Sequence, residues 1–321
     1  MSRYFIPILF FTILIISPFV GVISLNIEDI FNTNHLSSTI FFDLRVPRVL
    51  FAFFAGIVLA LSGLLFQTLF RNALMTPYTL GISSGAVLGA GIAIKLGLGA
   101  VVFGIGAISI FGFLGAIFTV FLLIFFSRYL KNSQQESLLL LGIALSLFYT
   151  SCLMIVFYLG STIQNDMLIR FTMGSLSIIG WQSPVTIGII ASILLLVIYL
   201  YRFELQLLSI SDESATLKGV DTKRVTLLLL IVSSFAIGTL VSISGPIGFV
   251  GLIVPHIVAK IYPTTINNRI IKTALFGGLF LVFCDTITRA LQTGSELPIG
   301  IVTALIGGPF FIYLIINRSK R

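Results

Sequence analysis

Gly56-Ile-Val-Leu-Ala-Leu-Ser62-Gly63 returns in altered form as Gly238-Thr-Leu-Val-Ser-Ile-Ser244-Gly245. Each copy is a glycine, five residues, then Ser-Gly, and neither contains a charge. A membrane helix needs about 20 mainly apolar residues. Working outward from the two copies, the gaps between charges and turn residues give ten candidate spans. They are 4–24, 47–70, 76–94, 100–126, 137–159, 184–202, 224–244, 248–262, 270–291 and 297–316. The copies fall in the second and seventh spans, five apart. An odd separation makes them run in opposite directions, and inverted repeats of this kind are typical of transporters.

Composition supports the same class. Of 321 residues, 57% are hydrophobic and only 9% charged, with a mean hydropathy of +1.13. A soluble domain carries about 25% charged residues. The net charge of +8 comes from basic residues scattered singly between apolar runs, which sets membrane orientation and offers no nucleic-acid surface. Cys152 and Cys284 both sit in apolar runs and imply no disulfide framework. Residues 1–24 are long for a signal core and no small-x-small cleavage site follows, so they are read as a retained span. With ten spans and the N-terminus inside, cytoplasmic segments hold fourteen of the nineteen Lys and Arg residues. Both termini are therefore expected in the cytoplasm of a multi-pass cell-membrane protein. The whole chain, 1–321, reads as one membrane domain in contact with lipid.

Within the spans, Gly81, Gly85 and Gly89 recur every fourth residue, a pattern for close helix packing. Gly245-Pro-Ile-Gly-Phe-Val-Gly251-Leu-Ile-Val-Pro255-His256 holds three glycines and two prolines in twelve residues. Such backbone survives at membrane depth only where protein or a water-filled cavity satisfies it. Gly245, Pro246, Gly248, Gly251 and Pro255 therefore read as a gate or pathway element, or as a kinked structural corner. The span 248–262 could be a tilted helix, a half-helix or a re-entrant piece. His256 has no partner histidine nearby and is expected to bond backbone. Asp285 and Arg289 lie four apart on one helix face, as an interior pair or as an ion relay. Arg45, Arg48 and Arg289, with Glu28, Asp29, Asp43 and Glu296, form a charged outer rim that either anchors the interface or docks an acidic partner.

The polar segments are 25–45, 160–183 and 203–223. In the last, Ser211 can cap a short helix with Asp212 and Glu213 in its first turn and Gly219 at its end. It reads as a docking knob on the cytoplasmic face, or as a solvated loop. No phosphate-binding loop, His-Glu-x-x-His or Gly-x-Ser-x-Gly motif occurs. No catalytic residue, metal site or cofactor is expected in this chain.

The motifs taken together resemble the permease subunits of ATP-binding-cassette importers for ferric siderophores, heme and cobalamin, the FecCD permease family. The resemblance rests on Arg45-Val-Pro-Arg48, Ala60-Leu-Ser62-Gly63, Gln67, Arg71-Asn72, Pro77, Leu80-Gly81 and Ser84-Gly85-Ala86. It continues with Gly219-Val-Asp221, Gly248 to His256, Asp285-x-x-x-Arg289, Glu296-Leu-Pro-Ile-Gly300 and Gly307-Gly-Pro309. Ala73, Ala259-Lys260 and the loop 263–269 depart from the family pattern. The resemblance implies an all-α, type II importer permease fold of ten helices, with spans 2–5 and 7–10 as inverted repeats. It implies a homodimer with the pathway between the copies and two cytoplasmic ATP-binding subunits. Those subunits would dock near Ser211, Asp212, Glu213, Ala215, Leu217 and Gly219. It also implies an external, periplasmic-type binding protein docking through Arg45, Arg48 and Arg289. The expected cargo is a ferric siderophore, with heme, cobalamin or an oxyanion as alternatives. An ion-driven secondary transporter using Asp285 is the rival from another class.

Overall fold

The computed structural model describes residues 12–21, 23, 27–30, 36–98, 101–102, 105–127, 129, 134–291 and 296–318. The first expected span is therefore described only in part, as a helical stretch over 12–19. Arg3, His35, Arg128, Lys131, Lys320 and Arg321 lie outside the described residues.

Apart from a four-residue helix, Ile27–Ile30, and one two-residue strand pair, the remaining elements are the helices numbered here in chain order. They are α1 (Leu36–Leu69), α2 (Ile82–Lys95), α3 (Ala107–Ser127), α4 (Gln134–Leu159), α5 (Thr162–Met173) and α6 (Gln182–Leu200). Two short helices, α7 (Arg202–Leu208) and α8 (Asp212–Leu217), precede α9 (Thr222–Ser244). The chain ends in α10 (Val250–Ile261), α11 (Ile266–Ala290) and α12 (Ile299–Arg318). Six of these are long and apolar enough to cross a membrane.

Several boundaries differ from expectation, each for a local reason. The second span begins at Leu36, not 47, because its charged entry is helical. Residues Ile40–Arg45 form a π turn, and Pro47 follows without an N–H to return to the Asp43 carbonyl. The N–H of Gly180 takes that carbonyl instead, at 2.9 Å. The third span starts at Ile82 because Pro77 and a left-handed Gly81 (φ 78°) hold the preceding residues in turns. Gly85 and Gly89 do pack backbone to backbone on α3, whereas Gly81 lies ahead of the helix. The fourth span starts at Ala107, after a two-residue antiparallel pairing of Val101–Val102 with Ile105–Gly106. The polar segment 160–183 contains α5, which Ser161 and Gln164 start with a reciprocal capping box.

Repeat symmetry is visible in the packing. Helix α1 packs on α11 and α10, as α9 packs on α3 and α2. Within each half, α2 packs on α3 and α4, as α10 packs on α11 and α12. The motif glycines sit at these crossings. A Cβ on Gly56 would overlap the Gly277 carbonyl of α11, and one on Gly238 would press on Ala116 of α3. Small residues permit such backbone approach where lipid supplies no hydrophobic drive. Helix α1 is the buried post of the fold, whereas α4 is only 11% buried.

Candidate functional site

Three regions carry the groups singled out in the sequence. The first is the charged rim. Asp285 on α11 is fully buried, with one oxygen accepting from Arg289 Nε and the other from Arg48 Nε, each at 2.9 Å. Arg48 also reaches Glu296 at 3.0 Å, and Glu296 is 44% exposed. Arg289 donates to the carbonyls of Ser17 and Val20, both at 2.8 Å, and to the Ser17 hydroxyl. Arg45 donates to the carbonyls of Pro18, Phe19 and Ile23. All but the Ile23 carbonyl lie at the end of the helical stretch 12–19, so two guanidinium groups supply donors that a helix end lacks. Of the three arginines, Arg45 and Arg289 are buried, and Arg48 with Glu296 forms the part of the cluster that reaches solvent. Ser17, which ties the first span to Thr286 at 2.8 Å, was not apparent in the sequence. The Ser-Pro step that ends the stretch was its only signal.

The second region is the broken segment 245–249. Gly245 (φ 67°) ends α9, and Phe249, also left-handed (φ 66°), begins α10. A phenylalanine in that conformation is strained. Helices α2 and α10 have 14 and 12 residues, or about 21 and 18 Å at 1.5 Å per residue. Neither crosses a hydrocarbon core of about 30 Å. The span 248–262 is thus a half-helix, and α2 is its counterpart in the first repeat. By the start of α2 and the break before α10 lies a cavity of about 540 Å³, lined by Tyr78, Ser83, Ser84, Pro246, Gly248 and Phe249, with residues of α4, α5 and α12. Gly245, Gly251 and Pro255 are not among the lining residues; all three are buried. Pro255 cannot donate to the Gly251 carbonyl, and Gln67 Nε2 of α1 takes that acceptor at 3.0 Å. A Cβ on Gly63 would overlap the same carbonyl. Sequence reasoning noted Gln67 without finding this role, which proline at 255 could have signalled. His256 bonds the Leu252 carbonyl at 2.7 Å, as expected of a structural histidine.

The third region is α8. The Ser211 hydroxyl accepts from the Ser214 N–H at 2.9 Å. Val220 N–H reaches the Ala215 carbonyl and Gly219 N–H the Thr216 carbonyl, with Gly219 at φ 82°. This is a Schellman stop. Ala215 is fully buried and Leu217 is 89% exposed, so the knob is anchored on one side and presents an apolar side chain on the other. Asp212 pairs with Arg71, just beyond α1, while Glu213 carries charge in the same first turn.

The profile of the FecCD transport family matches residues 8–317. The chain belongs to the FecCD transport family. It is 32% identical to the hemin transport system permease protein HmuU of Yersinia pestis, over 99% of this chain and 96% of that protein. It is 37% identical to the cobalamin import system permease protein BtuC of Halobacterium salinarum, over 87% of this chain and 73% of that one. Its fold matches a solved metal-chelate type ABC transporter in an inward-facing conformation. That match has a TM-score of 0.83 and 27% identity, covering 98% and 99% of the two chains. This FecCD member is therefore a multi-pass, all-helical membrane permease of ABC-transporter type, with the inverted-repeat fold.

Proposed function

We propose that this FecCD permease carries a ferric siderophore across the cell membrane, as the non-catalytic membrane subunit of an ATP-driven importer. The observation that carries the reading is the pair of half-helices whose starts lie at one cavity, inside a chain matched to the family almost end to end. The relatives named above are described for hemin, cobalamin and metal chelate, and ferric siderophore is the metal-chelate case. In this reading the permease is a homodimer, with both termini cytoplasmic and the cavity face turned toward the second copy. Two ATP-binding subunits engage α8 through Ser211, Asp212, Glu213, Leu217 and Gly219, with Ala215 as its anchor. A substrate-binding protein docks outside. Arg48 meets its acidic groups directly, and Arg45 and Arg289 hold the rim in shape. The segment Gly245 to Gly248 moves as the gate, and Gly251 with Pro255 fixes α10 to α1.

The ion-coupled alternative loses its residue. Both oxygens of Asp285 are held by guanidinium groups, and Asp285 does not line the cavity. A carboxylate so engaged is placed to lock helices, not to cycle protons.

The test is uptake of radioactive iron by cells lacking this gene, given a panel of ferric siderophores under iron starvation. Loss for one siderophore, restored by the gene, supports the reading. Normal uptake across the panel overturns the siderophore assignment and moves the cargo to heme, cobalamin or an oxyanion.

A further inference from the structure

Helices α2 and α10 both begin inside the molecule, and neither first turn is capped by a side chain. The first N–H groups of a helix have no intrahelical acceptor, and that end carries partial positive charge. Both starts lie at the same cavity, α2 through Ser83 and Ser84, α10 through the preceding Gly248 and Phe249. At α10 the Val250 N–H already bonds the Gly248 carbonyl and the Leu252 N–H the Phe249 carbonyl, so the open first turn is that of α2.

A second observation is independent of the helix ends. Ser83 lines the cavity and is 1% exposed, and its buried hydroxyl has no hydrogen-bond partner. The Tyr78 hydroxyl, lying beside Ser83 and the Ile247 N–H, is also without a bond of good geometry. Buried polar atoms are nearly always paired, so an unpaired one calls for an explanation. Of the other hydroxyls of the lining, Tyr149 accepts from Thr119, and Thr150 and Thr172 donate to carbonyls of their own helices. None of the lining residues is Asp, Glu, Lys, Arg or His. The cavity therefore offers unpaired donors, no carboxylate to repel an anion and no fixed cation to trap one.

We propose that Tyr78, Ser83 and the first turn of α2 form a station for a negatively charged oxygen group on the transported molecule. Carboxylate and catecholate oxygens are the chemical class it fits. The identity of the cargo rests on the proposed function above; the preference of the site for anions does not. A station of donors without a charged side chain binds weakly, which suits a group that must be passed on.

The deciding experiment uses the full chain in native membranes, with Cys152→Ser and Cys284→Ala removing the natural thiols. Ser84→Cys places a thiol at the station. Leu153→Cys places one on α4, in the same cavity but away from both first turns. Each is labelled with anionic sulfonatoethyl methanethiosulfonate and with its cationic trimethylammonioethyl analogue. The anionic-to-cationic rate ratio should be higher at Ser84→Cys than at Leu153→Cys by about tenfold. Ratios equal within about twofold overturn the station. Should Ser84→Cys fail to fold, Val87→Cys, one turn along α2, carries the same comparison.

Uptake then separates the two readings. If the importer carries ferric tricatecholate, a trianion, then Tyr78→Phe with Ser83→Ala should slow its uptake by about fivefold or more. Uptake of a neutral ferric trihydroxamate should change by less than about twofold. Equal slowing of both chelates counts against the station. If the parent carries neither chelate while the labelling preference holds, the siderophore reading falls and the anion station stands.

Discussion

Asp285→Asn removes one negative charge and leaves two guanidinium groups facing a neutral amide. In the parent each Asp285 oxygen accepts from one arginine at 2.9 Å, with Asp285 fully buried and Arg289 5% exposed. Asparagine keeps one acceptor for one arginine and turns an N–H2 donor toward the other. Breaking one buried ion pair by removing a partner costs about 3–5 kcal/mol, because the remaining charge stays buried. Arg289 keeps its bonds to the Ser17 and Val20 carbonyls, and Arg48 keeps Glu296. Those bonds hold the cost near the middle of the range, about 4 kcal/mol. The full chain in detergent, heated and passed over a sizing column, should lose its folded peak on the order of 10 °C below the parent. Adding Arg48→Gln removes one stranded charge, so the double variant should recover about 2 kcal/mol. The refuting result is an Asp285→Asn chain that melts with the parent yet transports nothing. That would make the carboxylate a working relay and not a lock.

Gln67→Leu strips the Gln67 donor from the Gly251 carbonyl and should cost about 1–3 kcal/mol. Pro255→Ala restores an internal N–H, so the double variant Gln67→Leu/Pro255→Ala should be more stable than Gln67→Leu alone in the same melting assay. Gly63→Ala drives a methyl into the Gly251 backbone and should cost about 1–3 kcal/mol or more. Gly308→Ala, with open space around it, should be neutral or stabilising by up to about 1 kcal/mol. Leu217→Asp should leave the melting point within about 0.5 kcal/mol of the parent yet abolish co-purification of the ATP-binding subunits. Retained co-purification would remove Leu217 from the coupling surface.

Apolar run length reveals the long helices, because lipid demands it of every span. It does not reveal α2 and α10 as half-helices, since a short helix and a turn with the same apolar residues look alike by hydropathy. Gly245-Pro246 marks one break openly. Gly81 marks the other only through its left-handed φ, which composition does not display. The knob at α8 was legible to the residue because capping is local: Ser211 starts it and Gly219 stops it within one short segment. The arginine rim was legible as a cluster and not as a geometry. Arg45 and Arg289 find their partners in the carbonyls of 17–23, about 270 residues away along the chain in the case of Arg289. Backbone acceptors carry no sequence signature, so two buried clamps read as two surface charges. Prolines 47 and 255 follow the same rule in reverse: each frees a carbonyl, and only the fold shows that Gly180 and Gln67 collect them.

The way stiffness is distributed decides where this permease can move. From the knob at α8, Asp212 reaches Arg71 at the end of α1. Both groups are partly exposed, and such a pair is worth only about 0–1 kcal/mol, so it can align the knob but not drive a helix. Beyond it the contacts harden. Gly63 of α1 meets Gly251 of α10 backbone to backbone, and Gln67 bonds across the same crossing. Close-packed backbone of this kind moves as a unit. The next compliant point is 245–249, where two left-handed residues flank the cavity. Phe249→Gly tests this division. Relief of the left-handed strain returns about 1–2 kcal/mol, and loss of the half-buried ring removes about 1.5–3 kcal/mol. Melting should therefore shift little, while the hinge gains freedom. In the reconstituted complex, more ATP should be hydrolysed for each ligand moved, whereas Gln67→Leu should lower stability without changing that ratio at a temperature where it stays folded. An unchanged ratio in Phe249→Gly would place the moving element elsewhere than the break before α10.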